Sequence, residues 1–162
     1  MQYRYAKFIA TRYLQFAGER NVMQSSVVKI MEIEKLIGNT AQFSFLEPRT
    51  WRLEFSGGAE FSNFSLCRII RAKQLLTCTT DHEQWFGLKE PYNAETEMNN
   101  LISNSIVTEA SYGSSGNDVA LSMSNGIIVE ILSISTGYET WEYRSAEGVL
   151  YVATGSGEIN EF

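Results

Sequence analysis

The sequence predicts a β-rich α+β fold in which two tandem units, each a helix followed by four strands, are related by pseudo-twofold symmetry. The first observation is a hairpin written twice, because residues 51–65 align without a gap with residues 119–133 at an offset of 68. A helical pattern also recurs at an offset of 65, and a later strand recurs at an offset of 75. One such unit rarely buries its apolar face alone, so we expect the two to pack together.

The repeated hairpin sets its own register through its apolar residues. A three-residue turn pairs Phe55 with Ala59, and the second copy pairs its apolar residues in the same way. A two-residue turn would instead place apolar residues opposite polar ones on one face. The three-residue turn closes with a residue in the left-handed region, which glycine adopts without strain. Gly58 and Gly126 are therefore predicted to be structural glycines.

A helix is predicted at the start of each unit. In the first unit the helix is predicted over residues 27–39, with Ser25 and Ser26 as candidate caps before it and Gly38 as a stop signal. Ile30, Ile33 and Ile37 lie on one face. In the second unit, residues 93–104 begin at a capping asparagine and carry two glutamates in the first turn. The residues concerned are Asn93, Glu95 and Glu97, and the apolar side is formed by Met98, Leu101 and Ile102.

Two further strands flank the hairpin in each unit. Residues 41–46 and 105–111 are predicted to precede it, and residues 74–79 and 149–154 to follow it. The units then account for eight strands and two helices. Helices covering a sheet are the expected arrangement for such a pattern.

The predicted domain organisation has three parts. Residues 1–24 form an N-terminal arm or helix without a counterpart later in the chain. Residues 25–162 form a single domain, made of one repeat at 25–84 and a second at 92–162. The connector between them is too apolar for a free linker, and we expect it to plug the seam between the repeats through Trp85, Phe86 and Leu88.

Composition and charge limit the class of protein. The chain is 44% hydrophobic and 12% aromatic with two prolines, which indicates a packed globule. Its two cysteines, Cys67 and Cys78, are too few for a disulfide framework or a zinc cluster and are predicted to be reduced core thiols. No apolar run reaches the roughly 20 residues of a membrane helix. Lys7 and Arg12 interrupt the apolar segment that a signal peptide would need, so a cytoplasmic protein is predicted.

Charge is distributed unevenly along the chain. Residues 1–34 carry five basic and three acidic side chains, and residues 35–73 carry six and three. Residues 74–162 carry two basic and thirteen acidic side chains, a net charge of -11. The acidic half disfavours a nucleic-acid surface and favours a basic partner or plain solubility.

One acidic and aromatic stretch follows the second hairpin. An exposed set of aromatic side chains rimmed by carboxylates is typical of a surface that binds a basic protein. A half-buried strand with solvated acids would look the same. The candidate partner-binding residues are Tyr138, Glu139, Trp141, Glu142 and Glu147.

His82 is the sole histidine, and it lies between Asp81 and Glu83. Neighbours along an extended chain point in alternating directions, so these three side chains would not converge on one metal ion. A solvated turn is the favoured interpretation. The alternative is a small-molecule pocket at the repeat seam, near His82 and Trp85. No catalytic, metal-binding or cofactor-binding residue is predicted, and no cofactor is expected.

The densest basic stretch contains Arg68, Arg71 and Lys73. Such residues on one strand face would suit single-stranded nucleic acid if an aromatic side chain stacked nearby. The favoured alternative is a solvated strand edge, where charge discourages pairing with another chain. Nucleic acid is therefore an unfavoured ligand.

A resemblance to a known group of proteins rests on five stretches, which are DHEQWFGL, NAETEMNNLIS, LSMSNGIIVEI, YETWEY and the closing GSGEINEF. With these, residues 26–162 resemble bacterial families of unknown function that consist of small, two-repeat, β-rich proteins. Their genes often lie in mobile cassettes or beside toxin genes, and some members are regarded as immunity-like. In outline the predicted fold is also similar to single-stranded DNA-binding folds of the Whirly type, but a fold alone does not define function.

The predicted function is therefore a non-enzymatic protein-interaction module, an immunity or inhibitor protein whose acidic second repeat binds a basic partner. The alternatives are a small-molecule binding domain and a single-stranded nucleic-acid-binding protein. A homodimer is compatible with each of these. No membrane partner is expected.

Overall fold

The computed structural model describes residues 32–47, 49–63, 65–113 and 117–162. These residues belong to one compact unit and form eleven strands, one α-helix and two short 3₁₀ helices. The strands are β1 (Ala41–Glu47), β2 (Thr50–Phe55), β3 (Glu60–Asn63), β4 (Leu66–Arg71), β5 (Gln74–Cys78), β6 (Val107–Tyr112), β7 (Val119–Met123), β8 (Ile128–Leu132), β9 (Glu139–Arg144), β10 (Leu150–Thr154) and β11 (Ile159–Glu161). Helix α1 is Ala94–Ile102, and the 3₁₀ helices are Ile33–Leu36 and Thr79–Asp81.

The strands form two antiparallel sheets. The first sheet has the order β1-β2-β3-β9-β10-β11, and the second has the order β5-β4-β8-β7-β6. Each sheet therefore combines strands from both halves of the chain. In the first, β3 pairs with β9 and places Phe61 opposite Tyr143. In the second, β4 pairs with β8 and places Ile69 opposite Val129.

The predicted pair of tandem helix-plus-four-strand units is wrong, although the prediction of a β-rich chain is confirmed. The repeats 25–84 and 92–162 do not form separate units, because the chain changes sheets between β3 and β4 and again between β8 and β9. This exchange lets both halves contribute to one core. Buried side chains from the two sheets form a single apolar cluster, including Phe43, Leu53, Phe61, Ile69, Leu121 and Val129. A short meander on its own would have left these side chains in water.

Three strands were missed by the sequence pattern. Strand β4 carries Arg68 and Arg71 among its apolar residues, and β9 carries acidic residues, so neither shows a continuous apolar run. In β4 the buried positions are Cys67 and Ile69, which alternate with partly exposed ones. The alternation of apolar and polar residues is therefore the sequence signal that predicts strand β4. Strand β11 is only three residues long and pairs with β10.

Helix α1 confirms the second predicted helix. The Asn93 side chain accepts a hydrogen bond from the Thr96 amide at 3.0 Å, as an N-cap does. Ala94, Met98 and Ile102 are buried against the sheets. The glutamates that the sequence placed in the first turn also lie there.

Side chains of α1 also cover the free edge of β1. The Asn99 side chain accepts from the Phe43 amide at 2.9 Å and donates to the Phe43 carbonyl at 2.8 Å. The Glu95 carboxylate accepts from the Phe45 amide at 2.8 Å. These contacts occupy backbone groups that an edge strand would otherwise present to another chain.

The helix predicted over residues 27–39 is wrong in its described part. Ile33–Leu36 form a 3₁₀ helix, and Ile37 is already extended with φ -60° and ψ 133°. The Gly38 amide donates to the Val107 carbonyl at 2.8 Å, so the chain leaves the helix to join the start of β6. Residues 1–31, with the predicted arm, the caps Ser25 and Ser26, and Ile30, lie outside the described residues.

The cysteines agree with the sequence prediction. Both Cys67 and Cys78 are buried, and neither forms a disulfide. Burial raises the pKa of the Cys67 thiol above its ordinary value, with a smaller contribution from Cys78. Cys67 is therefore expected to remain a protonated, inert thiol. No helix among the described residues is long and apolar enough to span a membrane.

The turn of the repeated hairpin is confirmed in both copies. The Phe55 amide donates to the Ala59 carbonyl at 2.9 Å, and the equivalent bond in the second copy has the same length. Gly58 and Gly126 adopt φ +89° and +80°, in the left-handed region. Both positions open onto free space, so the demand for glycine comes from the backbone alone.

Replacing Gly58 or Gly126 with alanine is expected to lower the free energy of unfolding by about 1–2 kcal/mol, because an L-residue is strained in the left-handed region. Urea denaturation followed by tryptophan fluorescence measures this. Gly58→Asn serves as the matched control, since asparagine tolerates the same region and should cost less. Equal losses for alanine and asparagine would contradict the backbone explanation.

Candidate functional site

The apolar connector forms a small exposed hairpin. The Glu83 amide donates to the Tyr92 carbonyl, and the Tyr92 amide donates to the Gln84 carbonyl, both at 2.8 Å. The Tyr92 hydroxyl donates to Thr77 Oγ1 at 2.9 Å, which fixes the hairpin to β5. Residues 85–88 form its end, which we call the apolar tip. A turn is closed there by a 2.6 Å bond from the Leu88 amide to the Trp85 carbonyl.

The apolar tip faces solvent and does not plug the seam between the repeats, so that prediction is wrong. Trp85 is 59% exposed, Phe86 64% and Leu88 52%. Phe86 and Gly87 have φ values of +42° and +75°, which reverse the chain before these side chains reach the core. The Phe86 ring has an edge-to-face contact with the Tyr92 ring at 6.1 Å.

Acidic residues flank the apolar tip in the sequence. Residues 81–97 contain five carboxylates and one lysine. Glu83 and Glu90 are exposed on either side of the tip. This part of the chain therefore combines exposed apolar area with negative charge, the combination that the sequence predicts for residues 138–147.

The predicted acidic and aromatic surface is not assembled as one patch. Trp141 is fully buried at 0% exposure, and its Nε1 donates to the Asn117 carbonyl at 2.6 Å. Tyr138 is 83% exposed and precedes β9, whereas Glu147 follows the other end of that strand. Of the remaining members, Glu139 is exposed and Glu142 is partly buried. Burial removes Trp141 from the predicted surface and leaves its other members exposed or partly exposed.

Glu147 is already engaged by a cation of this chain. Lys35 Nζ lies 3.4 Å from its carboxylate and 2.6 Å from that of Glu32. The hydrogen bonds to Glu32 and Glu147 raise the pKa of Lys35. The backbone amide of Glu147, the Ser145 hydroxyl and Lys35, in that order, lower the pKa of Glu147. Its charge is thus partly neutralised before any partner arrives.

His82 lies in a turn, as predicted, but its half-buried ring lines a cavity. Its ring stacks on the Phe45 ring at 4.0 Å between centroids, with 14° between the planes. The cavity has a volume of about 820 Å³ and opens where the end of β1, the start of β4 and the second 3₁₀ helix meet. Its described lining is Phe45, Arg49, Ser65, Leu66, Thr79, Thr80, His82, Glu83, Gln84 and Ile134.

Two buried polar atoms lie in the cavity lining without a hydrogen-bond partner in the described part of the chain. They are Ser65 Oγ and His82 Nδ1. Ser65 is only 3% exposed, and its carbonyl is held by a 2.6 Å bond from Trp51 Nε1. Trp85, which the sequence paired with His82, is not among the described lining residues. The two residues thus serve different surfaces.

The other candidate chemistries are not assembled in the described residues. No group of three or more His, Cys, Asp or Glu side chains among them is arranged to hold a metal ion. Arg68 Nε donates to Glu130 Oε2 at 2.6 Å, and Arg52 lies within 3.6 Å of Glu54 and 3.3 Å of Glu60. Arg68 and Arg52 are thus each paired with carboxylates of their own sheet, whereas Arg71 and Lys73 are exposed.

The cavity lining could not be read from local sequence. Ser65, Phe45 and Ile134 come from separate strand ends, and nothing in their neighbourhoods marks them. The exposed tip did carry a signal, because an apolar run beside Gly87 in a charged connector also fits a turn.

No family model matches this chain, and neither a curated protein nor a solved structure matches it.

Proposed function

We propose that the protein is a non-enzymatic protein-interaction module that binds a basic protein partner through the apolar tip. The observation that carries the proposal is the exposure of Trp85, Phe86 and Leu88 on a hairpin held by its own backbone bonds. Tryptophan and other large apolar side chains supply much of the energy of protein interfaces when a partner buries them. A tip that is already ordered loses little conformational entropy on binding.

Charge identifies the kind of partner. Five carboxylates lie within residues 81–97, and residues 74–162 carry a net charge of -11. Such a field repels nucleic acid and anionic lipid, and it attracts a protein with a basic rim around an apolar groove. A symmetric dimer through this tip would bring like charges together, so a different protein is the favoured partner over a second copy.

An immunity or inhibitor role is the form of this proposal that the sequence resemblance favours. In this role the tip would cover part of a basic, nuclease-like protein and block its approach to nucleic acid. The two reduced thiols suit a reducing compartment such as the cytoplasm.

The test begins with a partner recovered from the source cell on the immobilised protein, identified by mass spectrometry and then purified. We expect the double variant Trp85→Ser, Phe86→Ser to weaken its binding at least about 100-fold by calorimetry, since loss of a binding hot spot costs about 2 kcal/mol or more. Tyr138→Ser is the matched control, because this exposed aromatic residue lies outside the tip. Equal affinity of the tip variant and the unaltered protein would overturn the proposal.

The role of charge is separable in the same experiment. Replacing Glu83 and Glu90 with lysine should slow association by roughly tenfold at low salt, and high salt should reduce the difference. The control replaces Glu139 and Glu142, which belong to the surface predicted from sequence. A larger decrease in the association rate on replacing Glu139 and Glu142 would indicate that the partner binds at β9 instead of at the tip.

A further inference from the structure

The cavity beside His82 has the size and lining of a small-molecule site. Ligand pockets are commonly 300–1,000 Å³, and this one has a volume of about 820 Å³. It is built from residues distant in sequence, so its shape depends on the fold of both halves. The apolar tip lies outside its described lining, so a ligand in the cavity would not contact residues 85–88.

Ser65 places a buried hydroxyl in the lining of the cavity. Its hydroxyl is buried, lines the cavity and has no hydrogen-bond partner in the part of the chain that the structure describes. Buried polar groups are almost always paired, because an unpaired one loses its bonds to water without compensation. His82 Nδ1 is a second such atom in the same lining. A bound molecule that offers hydrogen-bonding atoms to these groups would remove both deficits.

Aromatic surface identifies the body of the ligand. Phe45 and His82 stack on each other and both line the cavity. Leu66 and Ile134 add aliphatic surface from the second sheet and from the segment after β8. Flat aromatic walls favour a flat ring through stacked or edge-on contact.

Arg49 offers a contact for a charged group of the ligand. It is the cation of the described lining, which also contains the Glu83 carboxylate, and its planar guanidinium suits a ligand carboxylate held away from Glu83 through two parallel hydrogen bonds. Its backbone has φ +97°, a strained value for a residue other than glycine. We infer that the cavity binds a small aromatic carboxylate, with the ring against Phe45 and His82, the carboxylate on Arg49, and Ser65 Oγ as a hydrogen-bond donor.

The test uses four probes on the full chain, measured by calorimetry and by ligand-detected NMR. They are indole-3-carboxylate, benzoate, the neutral indole-3-carboxamide, and the aliphatic cyclohexanecarboxylate. We expect one site per chain for the aromatic acids. The amide and the aliphatic acid should each bind at least about tenfold more weakly than indole-3-carboxylate. The inference would be overturned if neither aromatic acid bound at concentrations up to about 1 mM. A dissociation constant of that size corresponds to a binding free energy of about 4 kcal/mol.

Variants assign the contacts. Ser65→Ala should weaken indole-3-carboxylate binding about tenfold without lowering the melting temperature of the ligand-free protein, because the hydroxyl has no partner to lose among the described residues. A lowered melting temperature would contradict an unpaired hydroxyl. Arg49→Gln should abolish the preference for the carboxylate over the amide, and His82→Ala should weaken both. Retention of full affinity and preference by all three variants would place the ligand elsewhere.

Trp85→Ser is the matched control for the cavity. We expect unchanged affinity for indole-3-carboxylate, because Trp85 is not among the described lining residues. A variant that loses the protein partner and keeps the ligand, or the reverse, shows that the two functions stand or fall separately. Loss of indole-3-carboxylate binding in Trp85→Ser would contradict the assignment of the cavity.

Discussion

Replacing Gly155 with alanine is expected to lower the free energy of unfolding by about 3 kcal/mol or more, at the upper end of overpacking costs. Gly155 follows β10 and lies against the segment that leads into β9. A Cβ at this position would overlap the Ser135 carbonyl oxygen and would lie 2.8 Å from the Thr136 carbonyl carbon. These are backbone atoms, so no rotation of a side chain can relieve the overlap.

The surrounding hydrogen bonds prevent an easy shift. The Gly155 amide donates to the Tyr138 carbonyl at 3.0 Å, which fixes the two segments to each other. Gly137→Ala is the matched control, because a Cβ there would meet nothing within 4 Å. Urea denaturation of both variants measures the difference. If Gly155→Ala were no less stable than Gly137→Ala, the close approach of the two segments would be disproved.

Trp51→Ala is expected to cost about 3–5 kcal/mol, as for other large aromatic residues truncated in a core. Trp51 is fully buried, stacks on Phe43 at 5.9 Å and donates to the Ser65 carbonyl. Trp51→Phe isolates the hydrogen bond, because it keeps a ring and leaves the buried carbonyl unpaired. We expect that variant to lose about 1–3 kcal/mol in urea denaturation.

Trp141→Phe is a control with the same chemistry at another place. Its indole also donates to a buried backbone carbonyl at 2.6 Å, but that carbonyl belongs to Asn117. Both phenylalanine variants should lose similar stability. Only Trp51→Phe should weaken indole-3-carboxylate binding, since it releases the backbone of Ser65. A similar loss of binding in Trp141→Phe would show that the effect is general destabilisation.

Local chemistry is what the sequence predicted well. The hairpin register follows from which residues can share a face, and Gly58 follows from the backbone angle that its turn requires. The Asn93 cap likewise satisfies an amide three residues away. Each of these predictions depends on interactions within a few residues, and each is confirmed.

Long-range pairing is what the sequence did not predict. Nothing near Phe61 shows that β3 would pair with β9 and not with another strand of its own half. The same limit explains the error at Trp85, whose apolar character fits both a plug and an exposed tip. Trp141 illustrates the reverse case, because charged neighbours in β9 obscured a buried position.

The candidate site could be predicted only in part, because long-range strand pairing brings its residues together. His82 is the sole histidine of the sequence, which makes it recognisable there, and it lines the cavity. Ser65 and Phe45 could not be assigned to that site, because neither residue carries a local signal and the fold alone brings them to His82. The strand topology therefore determines which residues line the cavity.

The exchange of strands between the sheets also determines how the chain folds. Arg68 pairs with Glu130 across 62 residues of sequence, and every sheet needs strands from both halves before it is complete. Chains with such a high contact order close long loops early, so they fold slowly, on a scale of about milliseconds to seconds. The two halves are also interlaced. A chain cut within residues 85–88 would leave two fragments that share both sheets, so the halves would remain associated as a complementing pair.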